Sequence, residues 1–285
     1  MVTPGISPDR FATAAGSGAD VALLDLEDSV PEPQKDEARR LVLRFLRLHD
    51  QGEATFPATV GVRVNAPGTL HGLKDLAELA EHGHWPDLLL VPKAESARDI
   101  GLVDQIRGDA STPSQVWALI ESPRGIQNLT DILRAPCLTG VVFGAADYAA
   151  EAGCKITSRA MWYPRAILAA MAATSGLPAV DSPYFSLHDP DGLRREAEEA
   201  AELGFVGKVA IHPAQLPVIQ DAFRPSRSEL EFARAVVEAA DAADGTITTV
   251  GGAMVGPPIV AAARSLTARA GHEPASRRTK GSDHE

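Results

Sequence analysis

The sequence predicts an α/β protein whose strands run parallel and lie covered on both faces. Two observations carry this reading. First, seven short apolar runs recur: "VALLDLE" (21–27), "TVGVRVN" (59–65), "LLLVPK" (88–93), "VWALIE" (116–121), "GVVFGAAD" (140–147), "LPAVDS" (177–182) and "VGKVAIHP" (206–213). Most lack strict alternation, and near-continuous apolar strands are what a parallel sheet buried on both faces requires. Second, helix-like segments separate them, among them "LKDLAELAEHG", "SARDIGLVDQIR", "YPRAILAAMAATSG" and "GLRREAEEAAELG". Several of these end in glycine, which readily takes the left-handed conformation that closes a helix.

Seven strands separated by helices fit either a doubly wound sheet or a (β/α)8 barrel. At the N-terminus, "MVTPG" followed by "PDRFATAAGSG" can supply an eighth strand and its helix. That strand would be about three residues long, at the lower limit for strands. The expected architecture is a (β/α)8 TIM barrel over 1–225 with a C-terminal helical extension over 226–270. In the extension, "SRSELEFARAVVEAADAA" (226–243) reads as one amphipathic helix. "GTITTVGGAMVGPPIVAAARSLTARA" follows as a Gly-rich turn and a further helix. The last stretch, "GHEPASRRTKGSDHE" (271–285), is polar and poor in apolar residues, so a disordered tail is expected.

Bulk properties exclude several roles. A chain of 285 residues with 45% hydrophobic and 23% charged residues has ordinary globular composition, and 5% aromatics implies an aliphatic core. A net charge of −11 repels phosphate backbones and anionic lipid, so neither nucleic acid nor a membrane surface is an expected partner. Cys137 and Cys154 form no CxxC and no metal spacing; they read as reduced core thiols of a cytosolic protein. "MVTPGISPDR" has no apolar or basic region of a signal peptide. No run approaches the ~18 uninterrupted apolar residues of a transmembrane helix.

The chemistry is expected at the strand ends. Asp25, Glu27 and Asp28 close the first of the seven runs, Arg63 and Asn65 the next. Lys93, Glu121, Asp147, Asp181 and His212 close later ones, while the starts of the same runs carry almost no charge. In a parallel barrel these ends meet on one face, where barrel enzymes keep their active sites. Asp25 and Asp28 have a plainer reading as caps of the helix that includes "PEPQKDEARR".

Glu121 and Asp147 end neighbouring strands, so their carboxylates can converge on one hard cation. Mg²⁺ takes one or two carboxylates and keeps room for waters and substrate oxygens. No His/Cys cluster offers a zinc site. Arg63 has the planar fork that suits a carboxylate or an enolate oxygen, and it can also pair with Glu27 or Asp28. The loops "NAPGT" (65–69) and "FGAAD" (143–147) place small residues, Pro67, Gly68 and Ala146, where a ligand could approach the backbone. His212 is a candidate base or a hydrogen-bonded structural residue. No GxGxxG, Walker A or G-x-S-x-G pattern occurs.

Taken together, "GADVALLDLEDSV", "VRVNAPGT", "LLLVPKAES", "ALIESPRG", "VVFGAADYAAEAG", "GFVGKVAIHPAQ" and "AFRPSRSELEFAR" resemble the citrate lyase beta-subunit-like family, within the HpcH/HpaI aldolases and malyl-CoA lyases. The resemblance covers about residues 4 to 265. It implies a (β/α)8 barrel and a Mg²⁺-dependent lyase that cleaves a 3-hydroxyacyl-CoA, of the citryl-CoA or malyl-CoA type, to acetyl-CoA and a 2-oxoacid. It also implies Glu121 and Asp147 as metal ligands and Arg63 as the grip on the keto-acid half. Glu27 and Asp28 match acids that hold metal-bound waters and the arginine; Asn65, Pro67, Gly68, Lys93, Ala146 and His212 fall in substrate-facing segments. A homo-oligomer, trimer or hexamer, is implied too.

One departure stands out. Relatives that cleave or hydrolyse malyl-CoA-like thioesters carry acids in a stretch like "DGKMVD"; here the stretch is "GGAMVG" (251–256). Gly251 and Gly256 cannot move a proton, so the general base is left unassigned. Two other roles compete with the CoA lyase: an aldolase on a small substrate without CoA, and a metal-binding scaffold without turnover.

Overall fold

The computed structural model describes residues 1–52, 58–108, 114–242 and 247–271. The chain separates into two units, Met1–Phe223 and Arg224–Glu285.

In the first unit eight strands pair parallel and in chain order. They are β1 (Val2–Pro4), β2 (Val21–Asp25), β3 (Thr59–Arg63), β4 (Leu88–Val91), β5 (Gln115–Ile120), β6 (Leu138–Phe143), β7 (Ala179–Asp181) and β8 (Gly207–Lys208). The Val2 N–H donates to the Ala210 carbonyl at 2.9 Å, which joins β1 to the segment after β8 and closes the barrel. Closure leaves no open sheet edge, the usual liability of a sheet.

Strand alternation sorts the apolar residues into two layers. Leu23, Leu88, Leu90, Leu119 and Val142 form one cluster with Val2, Trp117, Val180 and Val209, and fill the barrel interior. Leu24, Val60, Val62, Leu89, Val91, Ala118, Ile120, Val141 and Phe143 point the other way, into the large cluster shared with the helices. Burying each such side chain stabilises the fold by about 1.5–3 kcal/mol.

The helices obey their local signals. In Leu70–His82, Thr69 caps the start by accepting the Gly72 N–H, and Gly72, Asp75, Leu76 and Leu79 form the buried stripe. Gly83, at φ 68°, ends it with a left-handed cap. Ser96 and Asp99 form a capping box at Ala97–Arg107. The helix expected from "PEPQKDEARR" begins as Lys35–Asp50, and no side chain caps it. The capping role considered for Asp25 and Asp28 is therefore corrected: Asp25 turns instead to the strand next door, as shown below.

In the second unit, helix Arg227–Ala242 packs Ala233 and Val236 against Val255 and Ala263, the latter on helix Pro257–Gly271. The stretch read as a Gly-rich turn is an antiparallel hairpin of β9 (Thr248–Val250) and β10 (Ala253–Val255). Gly251 and Gly252 both have positive φ, 57° and 84°, which a two-residue hairpin turn of the primed type demands. The tail expected at 271–285 lies, beyond Gly271, outside the described residues. Among the described residues no helix is long and apolar enough to cross a membrane. The expectation that both cysteines lie in the core is corrected: Cys137 is half-buried and Cys154, just after the end of helix Ala145–Ala152, is exposed.

Candidate active site

The site begins with strand parity. Asp25 lies two residues beyond inward-facing Leu23, and Arg63 stands directly opposite it in the β2–β3 register. Arg63 donates through Nε to Asp25 Oδ1 at 2.6 Å and through Nη2 to Asp25 Oδ2 at 2.7 Å. Asp25 also accepts the N–H of Glu27 at 2.9 Å and of Ser29 at 3.1 Å, which folds the loop after β2 around its carboxylate. Burial disfavours the Asp25 charge, but the Arg63 fork and these bonds outweigh it and hold its carboxyl below the usual aspartate range.

The remaining edge of the arginine, Nη1, lies 3.0 Å from Glu27 Oε2 and 3.4 Å from Asp28 Oδ2. Asp28 is exposed, and Glu27 is buried. The Arg63–Glu27 contact does not meet hydrogen-bond geometry, so Glu27 Oε2 is a buried oxygen without a hydrogen-bond partner. Desolvation pushes the Glu27 carboxyl up to about 8; Arg63 opposes that shift, while Glu121 and Asp28 add to it.

Opposite this group, three strand ends meet. Glu121 follows β5 on the inward parity of Leu119 and is 2% exposed. Its Oε1 accepts the Lys93 backbone N–H at 2.9 Å. The Lys93 ammonium lies 2.7 Å from Asp147 Oδ1 and 3.5 Å from Glu121 Oε1. Asp147 stands in the first turn of helix Ala145–Ala152, just beyond β6. One cationic atom thus touches both carboxylates. Gly144 makes the approach possible: a Cβ there would stand 2.4 Å from Glu121 Cβ and 2.8 Å from its Oε2. Desolvation raises the Glu121 carboxyl to about 7, against the pull of Lys93.

Lys93 falls off the inward parity of Leu88 and Leu90. It reaches the site because its backbone is left-handed, with φ 54°, an uncommon conformation for a residue with a side chain.

A buried brace supports the two loops. Lys35 Nζ donates to the carbonyls of Leu26 at 2.8 Å and Glu27 at 2.7 Å, and to Asn65 Oδ1 at 2.7 Å. Asn65 Nδ2 and N both donate to Asp75 Oδ2 at 2.7 Å, and Arg39 Nε donates to Asp75 Oδ1 at 2.7 Å. Asn65, expected to face substrate, has its amide engaged in bracing. Pro67 is buried, whereas Gly68 and Ala146 are exposed, Ala146 in the first turn beside Asp147. His212 is exposed, and its Nδ1 accepts the Ala214 N–H at 3.1 Å, a capping role for the turn Pro213–Gln215.

Asp181 departs from the strand-end expectation. It shares the outward parity of Ala179, and its carboxylate accepts Arg165 Nε and Nη2, both at 3.0 Å, and Lys208 Nζ at 2.6 Å. Lys208 also reaches Glu196 Oε1 at 2.6 Å. This ionic cluster lies between sheet and helices, not at the mouth.

Sequence reasoning placed Asp25 among the acids but not as the arginine's partner, and it missed Lys35, Arg39, Asp75 and Gly144. Strand parity could have found Asp25. Lys35 carries no sequence signal, since a lysine at a helix start is ordinarily solvated.

The residues present fit a divalent cation. Two carboxylates share one cationic atom, a buried glutamate oxygen nearby is unbonded, and hard oxygen donors suit Mg²⁺. Among the described residues, no group of three His, Cys, Asp or Glu converges, so protein alone would supply few of the ligands.

Acids and a guanidinium thus gather at the C-terminal rim of a (β/α)8 barrel, the face on which enzymes of this fold keep their active sites. Residues 1–213 match the HpcH/HpaI aldolase/citrate lyase family, and residues 171–270 match the C-C bond lyases of the TIM-barrel fold. The chain belongs to the HpcH/HpaI aldolase/citrate lyase family. It is 35% identical over 278 residues to a citrate lyase subunit beta-like protein of Mycobacterium tuberculosis, covering 95% of this chain and 94% of that one. It is 35% identical over 250 residues to a (3S)-malyl-CoA thioesterase of Cereibacter sphaeroides, covering 86% and 83%. Among solved structures, CitE of M. tuberculosis in complex with magnesium, acetoacetate and coenzyme A superposes with a TM-score of 0.80 at 34% identity, over 95% of this chain and 97% of that one.

Proposed function

We propose that this chain is a Mg²⁺-dependent carbon–carbon lyase acting on a 3-hydroxyacyl-CoA of the citryl-CoA or malyl-CoA type. It would release acetyl-CoA or another acyl-CoA and a 2-oxoacid. The observation that carries the reading is the meeting of Glu121 and Asp147 on one cationic atom across from Arg63. Family membership and the magnesium and coenzyme A bound to the M. tuberculosis relative support it.

Glu121 and Asp147 would hold the ion. When bound, it supplies Lewis-acid charge that lowers the pKa of a substrate hydroxyl. The chain's own residues do the rest. Arg63, held rigid by Asp25, offers its Nη1 edge to the carboxylate of the 2-oxoacid half. Glu27, ionised once a nearby cation offsets its raised carboxyl value, would take the hydroxyl proton through Oε2. The C–O bond becomes a carbonyl as the C–C bond breaks. The electron pair of the C–C bond passes to the acyl α-carbon, which then takes the proton back from Glu27.

The test is direct. Purified protein with Mg²⁺ is incubated with citryl-, malyl- and methylmalyl-CoA, and the released 2-oxoacid is trapped and quantified. Cleavage of one of them, abolished by Glu121→Gln, is the expected result. Absence of cleavage and of condensation on all of them overturns the reading.

A specific observation favours one competing role. Gly251 and Gly256 carry no acid where thioester-active relatives are expected to have one, which suits an aldolase on a small 2-oxoacid adduct without CoA. Calorimetric titration with CoA separates the two: micromolar binding excludes the smaller substrate class.

A further inference from the structure

We propose that Lys93 is a built-in counter-ion of the metal-free site, displaced by the divalent cation when it binds. The inference rests on the reading that Glu121 and Asp147 hold that cation.

Four features of Lys93 meet at one point. Among the described residues it is the non-glycine residue with positive φ, at 54°. Strain of this kind persists where surrounding structure over-determines it, and it clusters at functional sites. That turn sends backbone and side chain to the same carboxylate: the N–H reaches Glu121 Oε1 at 2.9 Å and the ammonium lies 3.5 Å from it. The ammonium is closest, at 2.7 Å, to Asp147 Oδ1. Finally, the side chain is 36% exposed, so a path to solvent is open to it, unlike Glu121 at 2%.

The charges give the reason for displacement. Without a cation, Glu121 and Asp147 meet on one ammonium, and two carboxylates brought that close repel each other. One ammonium relieves part of that repulsion. A divalent cation relieves more, but with the ammonium in place three positive charges would crowd two carboxylates. The lysine stem is flexible and its head strongly hydrated, so leaving for water costs it little. The backbone N–H remains and keeps Glu121 Oε1 in position. Lys93 therefore has two separable effects: its main chain prepares the site and its side chain competes for it.

Lys93→Met tests this, since it deletes the ammonium and leaves the main chain. Mn²⁺ binding is read by electron paramagnetic resonance on the wild type, Lys93→Met and Glu121→Gln. The proposal predicts that Lys93→Met binds Mn²⁺ about tenfold more tightly than wild type. Affinity unchanged or weakened overturns it, because the ammonium would then be neutral to the metal or would assist it. A thermal melt gives a second readout. Metal-free Lys93→Met melts below wild type, and added Mg²⁺ raises its midpoint by more. A metal-free midpoint equal to wild type or higher counts against the counter-ion. Glu121→Gln keeps the two readings apart. If it binds Mn²⁺ as wild type does, the proposed metal site is wrong whatever Lys93→Met shows. If it loses Mn²⁺ while Lys93→Met gains nothing, the Lys93 proposal alone falls.

Discussion

Asp25 and Arg63 stand opposite each other on adjacent strands and are joined by two parallel hydrogen bonds of 2.6 and 2.7 Å. The pair takes a long, flexible side chain and fixes it at the barrel mouth with one edge left over. Asp25→Asn removes the paired charge and leaves a largely buried guanidinium with only Glu27 and Asp28 at its other edge. We expect a loss of about 3 kcal/mol of stability in urea unfolding. We also expect a rise in KM for the 2-oxoacid half larger than the fall in kcat, because Arg63 then adopts several orientations.

Glu27 and Glu121 make stability depend on pH. Their folded values of about 8 and about 7 lie above the ordinary 4.5. Between the free and folded values the folded chain keeps protons that the unfolded chain has released. Stability of the metal-free protein therefore falls as pH rises through that window. Glu27→Gln removes one of these groups, so its stability relative to wild type should be greater at about pH 9 than at about pH 5. Urea midpoints at the two pH values check this; equal differences would assign Glu27 its free-solution pKa.

Gly144 is required by its distance to Glu121, not by its own backbone angles. Gly144→Ala places a Cβ 2.4 Å from Glu121 Cβ, so the carboxylate must move. We expect Mn²⁺ affinity to drop by at least about tenfold, with the circular dichroism spectrum unchanged. Wild-type affinity in this variant would show that Glu121 can reseat freely.

Asp181 supplies the contrast. Asp181→Ala strands Arg165 and Lys208, both buried, and should cost about 3–5 kcal/mol in urea unfolding. Its cluster lies on the outward parity, apart from the mouth, so kcat of the folded fraction should stay within about twofold of wild type. A selective loss of kcat would place Asp181 in the chemistry.

Much of this was legible in the chain. The apolar runs and the helical segments between them predict the eight strands, including one as short as Val2–Pro4. The strand-end residues Arg63, Glu121 and Asp147 meet at the mouth because a parallel barrel gathers those ends. What the runs do not show is parity. Asp25 and Asp181 both close apolar runs, yet one faces inward to Arg63 and the other outward to Arg165. Lys93 escapes parity altogether, because a left-handed residue after β4 redirects it. Lys35 is hidden for another reason: its main partners are carbonyls of the loop after β2, and main-chain acceptors leave no residue pattern. The C-terminal hairpin was read as a turn because its strands have three residues each, too few to show alternation.

In the proposed mechanism one divalent cation sits between Glu121 and Asp147 with Arg63 across from it. Crystals soaked with Mn²⁺ and oxaloacetate, measured at the manganese absorption edge, test it most directly. We expect an anomalous peak bridging the Glu121 and Asp147 carboxylates, with the oxaloacetate carboxylate on Arg63 Nη1. Manganese bound elsewhere, or oxaloacetate held away from Arg63, would contradict it.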